Sequence, residues 1–160
     1  MKLLGPKACN FLDEQGFTFL SLEEKSRLNI SLRITPTLCS IVVAFGMCYQ
    51  SFVVFAVLSV FGILGTVTKS WQPFDVLHNM LIAPTLKWPK LPPSPAPKRF
   101  ACFLGFIFLI GGTASFFFGQ IFLGDIFGFG YIIAAMLMAI THFCVGSWIF
   151  NRVKEKTKSI

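Results

Sequence analysis

The chain has 160 residues, of which 54% are hydrophobic and 13% charged, against about 25% charged in an ordinary soluble domain. Its apolar residues, 20 Phe among them, lie in long blocks, which is membrane composition rather than a large soluble core. The formal charge is +7, yet every Lys and Arg lies outside those blocks, so the basic balance reads as membrane topology and speaks against a nucleic-acid partner.

Residues 1–30 read as a mixed cytoplasmic segment. Asp13, Glu14, Glu23 and Glu24, with no long apolar core around them, argue against a cleavable signal peptide. Ser21-Leu22-Glu23-Glu24 has the spacing of a capping box, in which each side chain bonds the other's backbone N–H. It predicts a short amphipathic helix over 22–30, lying on the membrane surface or running into the first span.

The domain that follows, 31–150, is expected to hold four spans. The first covers 31–49, with Arg33 snorkelling to the interface and Pro36 in the first turn, where its missing N–H costs little. A tight turn at Tyr49-Gln50-Ser51 leads to the second span, 52–68. Residues 69–99 form a Pro-rich cytoplasmic connection. Trp71 and Trp88 are its expected interfacial anchors, and the run KWPKLPPSPAPKR is an extended, semi-rigid spacer between hairpins. A PxxP ligand for a partner domain is the other reading of that run. The third span covers 100–119. A turn around Gln120–Asp125 leads to the fourth, 126–150, and a basic tail, 151–160, closes the chain.

The basic residues fix the expected topology. Lys2, Lys7, Lys25, Arg27 and Arg33 precede span one. Lys69, Lys87, Lys90, Lys98 and Arg99 separate spans two and three, and Arg152, Lys154, Lys156 and Lys158 follow span four. Four spans gather all 14 on one face, as the positive-inside rule requires of the cytoplasmic side, whereas three would divide them. Both termini are therefore expected inside. Helices in lipid associate through small residues, here Gly62, Gly65, Gly105, Gly111, Gly112, Ser115, Gly124, Gly128, Ala135 and Ala139. Arg99, Arg152, Lys154 and Lys156 are expected to meet anionic lipid headgroups.

Candidate chemistry is sparse. The five cysteines (Cys9, Cys39, Cys48, Cys102 and Cys144) are odd in number and share no CxxC spacing, so neither a disulfide framework nor a zinc module fits. On continuous helices Cys39, Cys102, Cys144 and His142 would all fall in the inner half of the membrane. His142 would lie roughly 15 Å from Arg152, near the midplane. An ionisable residue at that depth defaults to a functional hypothesis. Its simpler reading is a neutral imidazole bonded to a carbonyl or hydroxyl, with Cys144 as a small hydrophobe. His142 and Cys144, two apart on a helix, would point about 200° apart and could not act as a dyad. Asp75 and His78 read as a surface pair, and Asp125 and Gln120 as solvated turn residues. No phosphate loop, nucleophile elbow, paired glycosidase carboxylates or HExxH is present, and no cofactor or metal is expected.

Several pieces together resemble a known family. These are Glu23–Leu32 (EEKSRLNISL), two apolar spans, a Pro-rich strap ending Ala96-Pro97-Lys98-Arg99-Phe100-Ala101, and two further spans ending Phe143-Cys144-Val145-Gly146-Ser147. Over about Leu22–Val153 the chain is similar to the bacterial integral-membrane family catalogued as domain of unknown function 4395. The resemblance implies the bacterial inner membrane. It also implies a closing Cys-x-Gly-Cys, a potential dithiol; here Cys144 matches the first Cys, but Ser147 stands at the second and forbids that local disulfide.

The expectation is thus an all-α membrane protein of two helical hairpins with both termini cytoplasmic. Its leading role is a non-catalytic structural or accessory subunit packed against lipid, a partner membrane protein or a second copy. The rivals are a thiol-redox or sulfur-handling protein using Cys144, with Cys102 or Cys39 beside it, and a small transporter or channel.

Overall fold

A computed structural model describes residues 6–86 and 90–158. Those residues are helical, with no strand among them. In chain order the helices are α1 (Pro6–Glu14), α2 (Leu22–Cys48), α3 (Phe52–Val67), α4 (Pro73–Leu77), α5 (Ala83–Leu86), α6 (Ala96–Phe117), α7 (Ile121–Thr141) and α8 (Val145–Lys158). A π-helical turn, His78–Ile82, joins α4 to α5 without a break in helical backbone. Three helices, α2, α6 and α7, are long and apolar enough to cross a membrane; α3, at 16 residues, is shorter.

The capping box forms. Ser21 N–H donates to Glu24 Oε2 at 2.9 Å, and Ser21 Oγ accepts from Glu24 N–H at 3.4 Å. Of the two expected courses the helix takes the second, running on into the first apolar block: α2 is unbroken for 27 residues, about 40 Å at 1.5 Å per residue. Pro36 therefore lies inside the helix and not in its first turn. Its ring removes one ladder hydrogen bond. The hydroxyls of Thr37 and Ser40 bond the nearby carbonyls of Arg33 and Pro36, both at 2.8 Å, a usual accommodation of proline in apolar helices.

Two three-residue turns, Tyr49–Ser51 and Phe118–Gln120, close the hairpins α2–α3 and α6–α7 with the same bonds. Ser51 N–H reaches Gly46 O and Gln50 N–H reaches Met47 O; Gln120 N–H reaches Ser115 O and Gly119 N–H reaches Phe116 O. Each puts its middle residue in the left-handed region, Gln50 at φ +48° and Gly119 at φ +71°. The turn after α6 is short enough to place Asp125 in α7.

The most extensive packing is α3 on α6, between the hairpins, followed by α6 on α7 within a hairpin and α2 on α7 between them. Val43, Phe55, Leu58, Leu109 and Phe116 form the buried centre. Glycines serve as sockets there. A Cβ on Gly112 would sit 2.5 Å from the Phe55 ring, and Gly128 receives the Met47 thioether. The expected small-residue faces are thus used within the chain.

The largest departure from expectation lies at the fourth apolar block. A single helix over 126–150 does not form. α7 begins at Ile121 and ends at Thr141, where His142 turns left-handed at φ 58° and ψ 33°, and a new helix starts at Val145. Histidine is among the few non-glycine residues enriched in that region. α8 then packs on α6 and α1 instead of continuing α7. A second buried cluster, with Phe11, Leu12, Phe17, Leu28, Leu32, Leu91 and Cys144, fills the junction.

Candidate functional site at the basic end of the bundle

The connection 69–99 is built into the protein rather than strung beside it. Pro73 opens α4 at a position where a missing N–H is harmless, and Asp75 follows in that first turn. Asp75 and His78, expected on the surface, are 6% and 1% exposed. Asp75 accepts from Lys98 Nζ at 2.5 Å, Thr35 Oγ1 at 3.2 Å and Ser94 Oγ at 3.4 Å. One carboxylate so ties α2, α4, the strap and α6. Lys98 is as buried as its partner, which places a complete ion pair out of solvent.

Other polar groups fix the strap. Asn79 Oδ1 accepts from Leu91 N–H at 2.7 Å, its Nδ2 donates to Leu91 O at 3.2 Å, and its Oδ1 lies 3.4 Å from His78 Nδ1. The amide thus imitates a neighbouring strand. Arg99, expected on lipid headgroups, donates from Nε to Thr66 O at 2.7 Å and from Nη2 to Val67 O at 3.1 Å. A cation at the last carbonyls of α3 is favoured by the helix dipole. Trp71 is 74% exposed, as an interfacial anchor would be, while Trp88 lies outside the described residues.

Three of the five thiols, Cys39, Cys102 and Cys144, lie at this end of the bundle. Cys102 Sγ donates to Gln72 Oε1 at 3.8 Å, and Cys39, one helical turn along α2 from Thr35, is buried. Cys144 is buried in the cluster against which Ala101, the neighbour of Cys102, also packs. All five cysteines are free thiols, and no three metal-ligating side chains converge among the described residues.

His142 does not lie inside a continuous helix. It ends α7 level with Arg33, whose Nη1 donates toward its Nε2 at 3.4 Å, and its ring lies edge-on to Phe11 at 5.8 Å. Burial first, and the Arg33 charge second, hold its pKa below the ordinary value of 6.5. The break at His142 also removes the helical geometry that set it opposite Cys144. Cys144 is 4% exposed, and its carbonyl accepts the Trp148 N–H that opens α8. Ser147 is fully buried, with no hydrogen-bond partner for its hydroxyl among the described residues.

Gly146 abuts the Ala101 backbone, where a Cβ would fall 2.6 Å from Ala101 Cα, and the Phe100 and Phe150 rings stand 5.8 Å apart. The two stretches Pro97–Ala101 and Phe143–Ser147 therefore form one contact. A family model described as a domain of unknown function (DUF4395) matches residues 29–155. The chain belongs to this family. No curated protein and no solved structure matches the chain. The DUF4395 match takes in the whole Asp75–Lys98 cluster, the three grouped thiols and the α6–α8 contact. It leaves α1 and the capping box outside.

Sequence reasoning named Cys144, His142 and Cys102, read Asp75 as half of a surface pair with His78, gave Lys98 only a topological role, and passed over Asn79. Two signals were readable. Asp75 follows a helix-opening Pro, and Lys98 stands between a Pro-rich strap and an apolar block, where a buried cation needs a carboxylate.

Proposed function

We propose that the chain is a four-span membrane protein with both termini on the cytoplasmic face, acting as a non-catalytic structural or accessory subunit. α3 completes the fourth span with Ser51 and Thr68 at its ends. The observation that supports a structural role is the closure of the basic-end cluster. Lys98, Asp75, Thr35 and Ser94 satisfy one another out of solvent, which leaves no free acid, base or nucleophile among them. Outside that cluster the helices present a belt of exposed apolar side chains, such as Ile41, Val57, Ile110, Phe129 and Ile133, suited to lipid or to a partner helix. Phe55 and Val43 fill the centre, which speaks against an aqueous path.

Two measurements test this. In sealed right-side-out vesicles, a membrane-impermeant maleimide labels the exposed Cys48 at the outer turn, whereas Cys9 reacts only after permeabilisation; the reverse order refutes the orientation. Extracted in mild detergent from its own membrane, the 17.8 kDa chain migrates in a stoichiometric assembly; recovery solely as a bare monomer refutes the subunit role.

The grouping of Cys39, Cys102 and Cys144 favours a second reading, a membrane thiol protein. It requires Cys144 to react with a small maleimide in the folded protein. Protection of Cys144 until unfolding removes that reading.

A further inference from the structure

Between α1 and α8 the surface opens into a cleft of about 710 Å³, lined by Asp13, Glu14, Trp148, Arg152, Lys154 and Glu155 among others. Asn151 Nδ2 donates to Glu14 O at 2.9 Å and joins the two helices along the floor of the cleft. Lys25 neutralises Asp13 at 2.5 Å. The Arg152 guanidinium lies 5.5 Å from the centre of the Trp148 ring. Glu14, Glu155, Arg152 and Lys154 form no ion pair with a described residue, so two carboxylates and two cations remain to face a ligand.

That balance selects the ligand. A purely anionic headgroup would meet Arg152 and Lys154 but also two unscreened carboxylates. A headgroup carrying a phosphate and a primary ammonium satisfies both signs: the cations take the phosphate oxygens and the carboxylates accept the ammonium N–H groups. The cleft lies at the end of the bundle where α7 stops. Beside it Phe143 is 40% and Trp148 42% exposed, an apolar surface for attached chains. We infer that this cleft receives the phosphoethanolamine headgroup of phosphatidylethanolamine. The inference rests on the membrane reading above, but its test is run in detergent and does not depend on the number or direction of spans.

Native mass spectrometry of the purified chain, with phosphatidylethanolamine or phosphatidylglycerol added singly, reads the lipid retained. The expected result is one phosphatidylethanolamine retained in preference. The double variant Glu14→Gln/Glu155→Gln, on exposed or half-exposed positions, should bind it roughly tenfold less and reverse the preference toward phosphatidylglycerol. Arg152→Gln/Lys154→Gln should lose both lipids. Equal retention of the two lipids by the parent, or a preference untouched by the carboxylate variants, overturns the proposal. Soluble phosphoethanolamine binding as tightly as the lipid overturns it too, since the acyl chains would then contribute nothing.

Discussion

Replacing Lys98 with Met tests whether the Asp75 cluster holds the bundle together. Both side chains of the pair are 8% exposed, so solvent screening does little to weaken their attraction. Removing one member of a buried pair strands the other and costs about 3–5 kcal/mol. Lys98→Met, which keeps length and apolar bulk, should lose that much, and so should Asp75→Leu. The double variant strands no charge. It loses only the acceptor for Thr35 and Ser94, about 1 kcal/mol each, and removes the desolvation of two ions. It should therefore lie within about 2 kcal/mol of the parent and above either single variant. The assay is unfolding in mixed micelles with a rising fraction of sodium dodecyl sulfate, followed by far-ultraviolet circular dichroism. Thiol labelling of the buried Cys39 and Cys144 supplies a second probe. A Lys98→Met cost under about 1 kcal/mol, or a double variant equal to the sum of the singles, refutes the claim that the pair is a structural clasp.

Four further outcomes can be checked by the same unfolding titration. Gln50→Gly should stabilise the chain by about 0.5 kcal/mol and Gly119→Ala should destabilise it by about 1–2 kcal/mol, because both positions require a left-handed backbone that a Cβ opposes. Gly146→Ala should cost about 1–3 kcal/mol, since its methyl would meet the Ala101 backbone, which cannot rotate aside. His142 has a folded-state pKa below its ordinary 6.5, so the unfolded chain binds the proton more readily. Stability should then be flat above pH 6.5 and fall as pH drops below it, and His142→Gln should remove that fall; stability rising on acidification would contradict the assignment.

How much was legible from residues alone follows from the kind of signal each feature carries. Apolar blocks and the Ser21–Glu24 capping box are local, and they led to helices whose ends at the hairpin turns are close to those expected. The two hairpin turns were placed from short polar interruptions. The interruption after α6 was read too long because Gly124 and Asp125 resemble a loop, while Gly124 is in fact a socket for the Phe116 ring. Local signals put Asp75 in the first turn of a helix and Lys98 in need of a carboxylate, but that the two would meet, buried, was not legible. That burial depends on Lys98, Thr35 and Ser94, which approach only after α2, the strap and α6 assemble. For the same reason nothing local revealed that the carbonyls of Thr66 and Val67 end beside Arg99.

The break at His142 carries the widest consequence. No Pro or Gly interrupts Ile126–Val145 except Gly128 and Gly130 near its start, so hydropathy extends the span through Phe150. Tertiary contacts end it instead: Arg33 faces the imidazole, Phe11 covers it, and Gly146 needs a close approach to Ala101 that a straight helix could not make. Once the chain turns there, Trp148 and Arg152 leave the bundle axis and stand opposite α1. The basic tail that sequence reading treated as a simple stop signal becomes one wall of a cleft whose other wall carries Glu14. The same turn brings Phe143–Ser147 against Pro97–Ala101, so the two most distinctive stretches of the sequence share one contact. Their joint demand on backbone approach, more than any single side chain, explains why a small residue stands at 146.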